Sequence, residues 1–303
     1  MSKPIYVECQ IKGTMDRLWE LTQQPEHHEQ WDLRFTNIEY LPRPDGSEPQ
    51  RFIYATRIGF GLRIQGEGET TGEHEESKDR SSALKFWSTD RKSLIETGSG
   101  YWKYITQNDG VRFLTRYDYR VRFGVLGRVL DVAIFRPVMH WATAWSFDRL
   151  RLWIEKGIAP EVSLERSVVN TVARLSLCFI WVFQGVVPKL LFENADELEM
   201  LSDAGVSSSS ALTLLRVLGF AEVVFGLTFL VTWGRRWPFL LTVLLMVVAT
   251  VGVSISSPQF LVSAFNPISL NVAVAALAIS GFLVDRNLPS SRNCLLRLPE
   301  AVS

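Results

Sequence analysis

The stretch WPFLLTVLLMVVATVGVSI, residues 237 to 255, contains no charged side chain and no polar stripe. A helix that is apolar around its whole circumference belongs in lipid or deep in a large core. Crossing a hydrocarbon layer roughly 30 Å thick takes about 20 such residues. Three further stretches meet or approach that length, 168 to 187, 211 to 232 and 267 to 284. The C-terminal part of the chain is therefore expected to cross a bilayer four times. A soluble bundle of the same helices would need polar stripes facing water.

The flanks give an independent test, because Lys and Arg accumulate on the cytoplasmic side of spans. Arg149, Arg151, Lys156 and Arg166 precede the first stretch, Arg235 and Arg236 lie between the second and third, and Arg286, Arg292 and Arg297 follow the fourth. The other two loops hold only Lys189. This pattern puts both termini in the cytoplasm and the acidic segment with Glu193, Asp196, Glu197, Glu199 and Asp203 outside. A multi-pass protein of the cell membrane is expected, with the lipid bilayer as its first partner.

The chain has 303 residues, enough for two ordinary domains. Lys plus Arg and Asp plus Glu both number 32, so no charge excess points to nucleic acid. Charge is dense before Arg166 and sparse afterwards, which predicts a soluble domain over 1–157, a linker over 158–167, a membrane domain over 168–287 and a cytoplasmic tail over 288–303. Cys9, Cys178 and Cys294 are far apart and form no CxxC pair, so neither a disulfide framework nor a zinc cluster is indicated. His27, His28, His74 and His140 have no metal-ligand spacing and read as exposed polar residues. No metal, cofactor or catalytic residue is assigned. The N-terminus lacks the apolar core of a signal peptide. The run GEGETTGEHEE, with Glu67, Glu69, Glu73, Glu75 and Glu76, reads as a solvated strand and hairpin, and its glycines fit no phosphate-binding fingerprint.

Ionisable groups inside spans are costly and mark either interhelical ties or a pathway. Arg174, Arg216 and Glu222 qualify, with Gln184 and Asn271 as further intramembrane polar positions. Arg216 and Glu222 are six apart and do not stack on one helix face, so their partners are expected on other helices. Gly219 and Gly226 flank Glu222 and allow helix backbones to approach closely. With RLSLCFIWVFQGVVPKLLF in the first span, GFAEVVFGL in the second and FNPISLN from Phe265 to Asn271, residues 168–287 resemble the DoxX-like family of four-helix membrane proteins. Some members of that wider family are associated with quinone-linked sulfur oxidation or oxidoreductase complexes. The resemblance thus implies a possible membrane partner subunit. No CxxC and no histidine after His140 is present, so the oxidoreductase role attaches to no residue here.

In the N-terminal half, Ile5, Val7, Cys9 and Ile11 alternate with polar or half-polar neighbours, the pattern of a half-buried strand. A helix follows, capped by Thr14, limited by Pro25 and striped by Met15, Leu18, Trp19 and Leu21, and the Trp31 region forms a second short helix. LPRPDGSEPQ, residues 41 to 50, is a turn-rich connection. Residues 51 to 65 read as one strand with Phe52, Tyr54, Ile58, Phe60, Leu62 and Ile64 on one face. Residues 111 to 123 read as another, with Val111, Phe113, Tyr117, Tyr119, Val121 and Phe123 on one face. A long helix from about 131 to 156 carries a narrow charged stripe of Arg136, His140, Asp148, Arg151 and Glu155 and is buried on most other sides.

That succession, with IYVECQIKGTMDRLWELTQQPEHHEQWD as its most characteristic stretch, is similar to the START-like, or SRPBCC (polyketide cyclase/dehydrase-like), fold over residues 3 to 157. The resemblance implies an α+β helix-grip domain, an antiparallel sheet around a long C-terminal helix, followed here by the all-α four-helix transmembrane bundle. It also implies an apolar cavity for a lipid, sterol, polyketide or other hydrophobic small molecule. On that basis Tyr54, Ile58, Phe60, Trp102, Tyr117, Tyr119, Met139 and Trp145 are the expected pocket residues, although they would equally make an ordinary core. The function expected is a membrane-tethered binding module for a lipophilic small molecule or lipid at the cytoplasmic face. A subunit of a quinone-linked oxidoreductase complex and a non-catalytic assembly protein are the alternatives, and whether any reaction is catalysed stays open.

Overall fold

The computed structural model describes residues 3–43, 48–59, 61–76 and 78–298. The chain forms two compact units, one from the residues up to Ser163 together with those after Leu288, the other from Leu164–Leu288.

The first unit is built on one antiparallel sheet. Its strands are β1 (Ile5–Ile11), β2 (Asn37–Tyr40), β3 (Arg51–Gly59), β4 (Leu62–Glu75), β5 (Asp79–Trp87), β6 (Ile95–Gln107) and β7 (Gly110–Val121), in the order β1-β7-β6-β5-β4-β3-β2. Helices α1 (Met15–Gln23) and α2 (Pro25–Trp31) follow β1, and α3 (Gly124–Leu130), a π-helical turn (Asp131–Phe135) and α4 (Arg136–Lys156) follow β7. Thr14 caps α1 by accepting the Arg17 N–H, and Gly157 ends α4 at φ 64, where a residue without Cβ is unstrained. The core lies where α4 crosses the sheet. Trp31, Phe113 and Phe147 are fully buried, and the rings of Phe113 and Phe147 stack at 4.3 Å.

Two strand and helix readings change. Residues 51 to 65 are the two arms of a hairpin, not one strand, and Gly61 at φ 76 lies in the turn. Thr56 faces Ile64 and Tyr54 faces Gly66, so even positions face even positions. The apolar face therefore keeps its parity around the turn, which is why the alternation concealed it. The long helix begins at Asp131 as a π-helical turn and is preceded by α3, for which the sequence reading had no counterpart.

The residues after the last span also join this unit. Leu295 and Glu8 exchange backbone hydrogen bonds of 2.9 and 2.8 Å, extending the sheet beyond β1. Cys294 is buried in the same core as Cys9. Asp148, fully buried on α4, accepts from Ser290 N–H at 2.8 Å and Asn293 Nδ2 at 2.9 Å.

The second unit is helical. Four of its helices are long and apolar enough to cross a membrane: Pro160–Leu191 (α5, Pro160–Gln184, and a π-helical turn, Gly185–Leu191), α7 (Ser208–Val231), α8 (Trp237–Ser256) and α9 (Pro267–Val284). A short helix, α6 (Ala195–Asp203), joins the first two. Leu177, Trp181, Phe229, Phe239 and Ala278 are buried between them. A Cβ on Gly185 would lie 2.4 Å from the Gly219 carbonyl oxygen, so the first two spans touch backbone to backbone there. Lys189, read as a loop residue, belongs to the π-helical turn and is buried.

Candidate functional site

In the first unit a cavity of about 640 Å³ lies between the sheet and α4, within the size range of small-molecule sites. Its walls are mainly apolar, with Phe52, Tyr54, Ile64, Leu84 and Trp102 from the sheet and Met139 from α4. The glycines of β4 help to open it. Gly66 and Gly68 lie opposite Tyr54 and Phe52, and a Cβ on either would come within 2.3 Å of the facing ring. The rings thus lie across the neighbouring strand, leaving room towards the helix.

One corner of the cavity is polar. Asp32, fully buried, accepts from Arg34 Nε at 2.9 Å and Nη2 at 2.6 Å, and lies 3.0 Å from His28 Nε2. Burial by itself raises the Asp32 carboxyl. The Arg34 guanidinium and the His28 contact outweigh it and hold the group well below the usual carboxylate range. His28 stacks on Trp31 at 5.1 Å and meets the edge of Trp102 at 4.9 Å. The Arg34 guanidinium lies 5.5 Å from the ring centres of both Phe35 and Tyr117. Tyr117 Oη is 2.9 Å from Thr143 Oγ1, and burial pushes the Tyr54 phenol up to about 12, so it stays a neutral hydroxyl. His28, Arg34, Tyr54 and Tyr117 all border the cavity. Asp32 balances Arg34, so the corner offers hydrogen bonds with little net charge. An apolar molecule with one polar end fits that arrangement.

Of the expected pocket residues, Tyr54, Trp102, Tyr117 and Met139 line the cavity. Tyr119 does not: its hydroxyl donates to Asp131 at 2.7 Å and its ring lies 4.4 Å from the Arg136 guanidinium, so it braces the start of α4. Trp145 does not either, because it packs against Trp141 and lies 5.5 Å from Arg149. Arg149 is itself buried and donates twice to the Pro160 carbonyl, at 2.8 and 2.6 Å, and burial lowers it to about 10. Phe60 and the Ile58 side chain lie outside the described residues. The reading of His28 as an exposed residue is corrected, since its side chain is 13% exposed and wedged among aromatic rings. Asp32 and Arg34 were passed over. Their signal was WDLRF, residues 31 to 35, where two opposite charges alternate with large apolar side chains.

The intramembrane polar residues form separate groups. Arg174, fully buried, donates to Asn170 Oδ1 at 2.9 Å, Asp285 Oδ1 at 3.1 Å and the Arg235 carbonyl at 2.8 Å. Glu222 lies 3.1 Å from Lys189, which also pairs with Glu197 at 2.9 Å and reaches the Gln184 carbonyl at 3.4 Å. Arg216 pairs with exposed Glu193 at 2.9 Å, and Asn271 donates to Thr250 Oγ1 at 3.1 Å. Asn271 and Glu222 each meet a residue from another helix or helical turn, and Arg174 also reaches the Phe229 carbonyl on α7 at 3.4 Å and Asp285 just past the end of α9, as ties between spans do.

Fold and site together define a membrane protein whose N-terminal unit is an antiparallel sheet with a long helix packed on it and whose C-terminal unit carries four candidate spans. Residues 178–279 match the model of the DoxX-like family. Over 237 residues the chain is 42% identical to the uncharacterized membrane protein YndG of Bacillus subtilis (strain 168), covering 78% of this chain and 80% of YndG. The chain belongs to the same family as YndG. Among solved structures, the di-domain ARO/CYC StfQ from the steffimycin biosynthetic pathway is similar at 15% identity, with 51% of this chain and 52% of that chain covered and a TM-score of 0.41. The hypothetical protein jhp0584 from Helicobacter pylori is similar at 18% identity, with 50% and 86% covered and a TM-score of 0.39.

Proposed function

We propose that the soluble unit binds a lipophilic small molecule or lipid carrying one polar group, and that the four spans hold it at the cytoplasmic face of the cell membrane. The observation that carries this reading is the 640 Å³ cavity, apolar along its walls and polar at the His28–Asp32–Arg34 corner. A binding module fixed beside a bilayer meets apolar ligands at raised effective concentration. The orientation rests on two supports. Chain from before the first span and from after the fourth folds into one unit, which requires an even number of crossings. The arginine-rich flanks are those of the cytoplasmic side.

Native mass spectrometry of the full chain released from mild detergent tests this function. A retained apolar mass is expected for the wild type, and its loss in Leu84→Trp and Ile64→Trp, which narrow the cavity, with the thermal midpoint preserved in at least one of them. Absence of any bound mass after incubation with lipid and quinone extracts overturns the reading. Equal retention in both variants does the same, because the mass then sits elsewhere.

A further inference from the structure

Between β7 and α4 the chain presents an apolar surface to solvent. Val125, Leu126, Val129, Val132 and Ile134 are 76, 65, 58, 64 and 60% exposed. From residue 124 to 134 only Gly127 and Asp131 are buried. They are four apart and share a helix face, and that face anchors the segment. A Cβ on Gly127 would lie 1.7 Å from the Arg122 carbonyl oxygen, so α3 rests directly on the end of β7. Asp131 accepts from Tyr119 Oη at 2.7 Å and Arg136 Nε at 2.9 Å. The rest of the circumference faces outward and is apolar except for Arg128. Contiguous exposed apolar surface of this kind marks an interaction site.

Three observations select the partner. The same exposure of Leu and Val recurs on α8, at Leu240, Leu244, Val247 and Val251, where lipid accounts for it. Chain connectivity keeps a bilayer within reach, since the polypeptide leaves this unit at Ser163 and re-enters it at Pro289 on either side of the four spans. The margin is also basic. Arg128 lies on the segment, exposed Arg57 and Lys92 border the cavity, and Arg122 holds the Lys92 loop through the Ser88 and Asp90 carbonyls. Basic side chains flanking an apolar helical face suit anionic head groups, and Trp141, 48% exposed, is a residue type enriched at that depth.

We propose that α3 and the turn after it insert into the head-group region of an anionic bilayer, the membrane the chain itself spans, and form the entrance between lipid and cavity. Phe135, Val138, Met139 and Trp141 continue the segment and line the cavity, so the inserted surface runs into the cavity wall. The entrance role rests on the proposed ligand binding; insertion does not.

Spin labels placed singly by Val125→Cys, Val129→Cys and Val132→Cys in the full chain, reconstituted in nanodiscs containing phosphatidylglycerol, test it, with Lys85→Cys on an exposed sheet position as the aqueous control. The three native cysteines are buried and react slowly. The expected result is collision with oxygen favoured over a water-soluble nickel chelate at all three helix sites, and the reverse at Lys85. Nickel accessibility at Val129 equal to that at Lys85 overturns insertion. Shielding from both reagents with dipolar broadening between molecules also overturns it, and assigns the face to a second copy. Mass spectrometric occupancy is read separately, so an inserted α3 with an empty cavity refutes ligand binding alone.

Discussion

Arg174 in the helical unit and Arg34 in the sheet-containing unit are both guanidiniums held by an aspartate away from bulk solvent, Asp285 at 3.1 Å and Asp32 at 2.6 Å. Around Arg174 the remaining contacts are closed: Asn170, the Arg235 carbonyl and the rings of Phe239 and Trp233 surround it. Around Arg34 one side is a cavity. A buried ion pair enclosed by protein fixes the packing of the elements that supply it, whereas one bordering an empty apolar volume also presents a polar surface to whatever enters. The same pair chemistry thus acts as a tie in one unit and as a candidate recognition corner in the other.

The largest expected effect tests the tie. Arg174→Ala leaves Asp285 buried without its cation, with the Asn170 amide still donating to it at 2.8 Å, and removing one partner of a buried pair destabilises by about 3–5 kcal/mol. The thermal midpoint of the full chain in detergent should fall accordingly, and Asp285→Asn added to Arg174→Ala should recover part of the loss. An unchanged midpoint in Arg174→Ala removes the structural role assigned to it.

A smaller effect is expected at the corner. Asp32→Asn keeps the shape and weakens charge-assisted bonds, which contribute about 2–3 kcal/mol. The sign with pH is fixed by the depressed folded-state value of Asp32. The unfolded carboxyl takes up its proton first, so the stabilisation is complete above the ordinary aspartate value of about 4 and is lost as pH falls through the lower folded value. The wild type should therefore exceed Asp32→Asn in midpoint at pH 7 and converge on it in acid. Arg34 freed of its counter-charge should also shift occupancy towards ligands that carry a carboxylate, a change that no variant of Arg174 should produce.

The two units were unequally legible. Length and apolarity of residues 237 to 255 suffice for a span, because a bilayer imposes the same requirement along its whole thickness. The cavity depends on residues far apart in sequence, such as Tyr54 facing Gly66 across a hairpin and His28 meeting Trp102. Alternation showed which strand positions share a face, and the fold resemblance implied Tyr54, Tyr117 and Met139 as pocket residues, but neither showed where a face stops lining a cavity and becomes core, as at Tyr119. His28 was misread because its environment is made by rings from other elements, including Phe35 and Trp102. Residues 123 to 134 carried their apolar signal openly, yet periodicity does not say which side of a short helix meets protein.

Asp148 supplies an intermediate case: it lies in the same unit as Arg34 yet is enclosed like Arg174. Arg151 donates to it at 2.7 Å from the same helix, while Ser290 and Asn293 donate from the far end of the chain. Ending the chain at Leu288 removes those two donors and should lower the midpoint by the equivalent of about 1–2 kcal/mol, since water then replaces them. Docking of the segment can be read without truncation. Glu8 and Leu295 form a hydrogen-bonded antiparallel pair, which sets Cys9 opposite Cys294 at the next, non-hydrogen-bonded position, where cross-strand side chains approach most closely. Both thiols are buried in one core. Mild oxidation of the full chain should therefore join Cys9 to Cys294 in an intramolecular disulfide, detected as a loss of two hydrogens within one chain and abolished by Cys294→Ser. Failure to cross-link while free cysteine at 294 reacts rapidly with maleimide would show the segment undocked, and Asp148 would then be a carboxylate open on one side, no longer enclosed as Arg174 is.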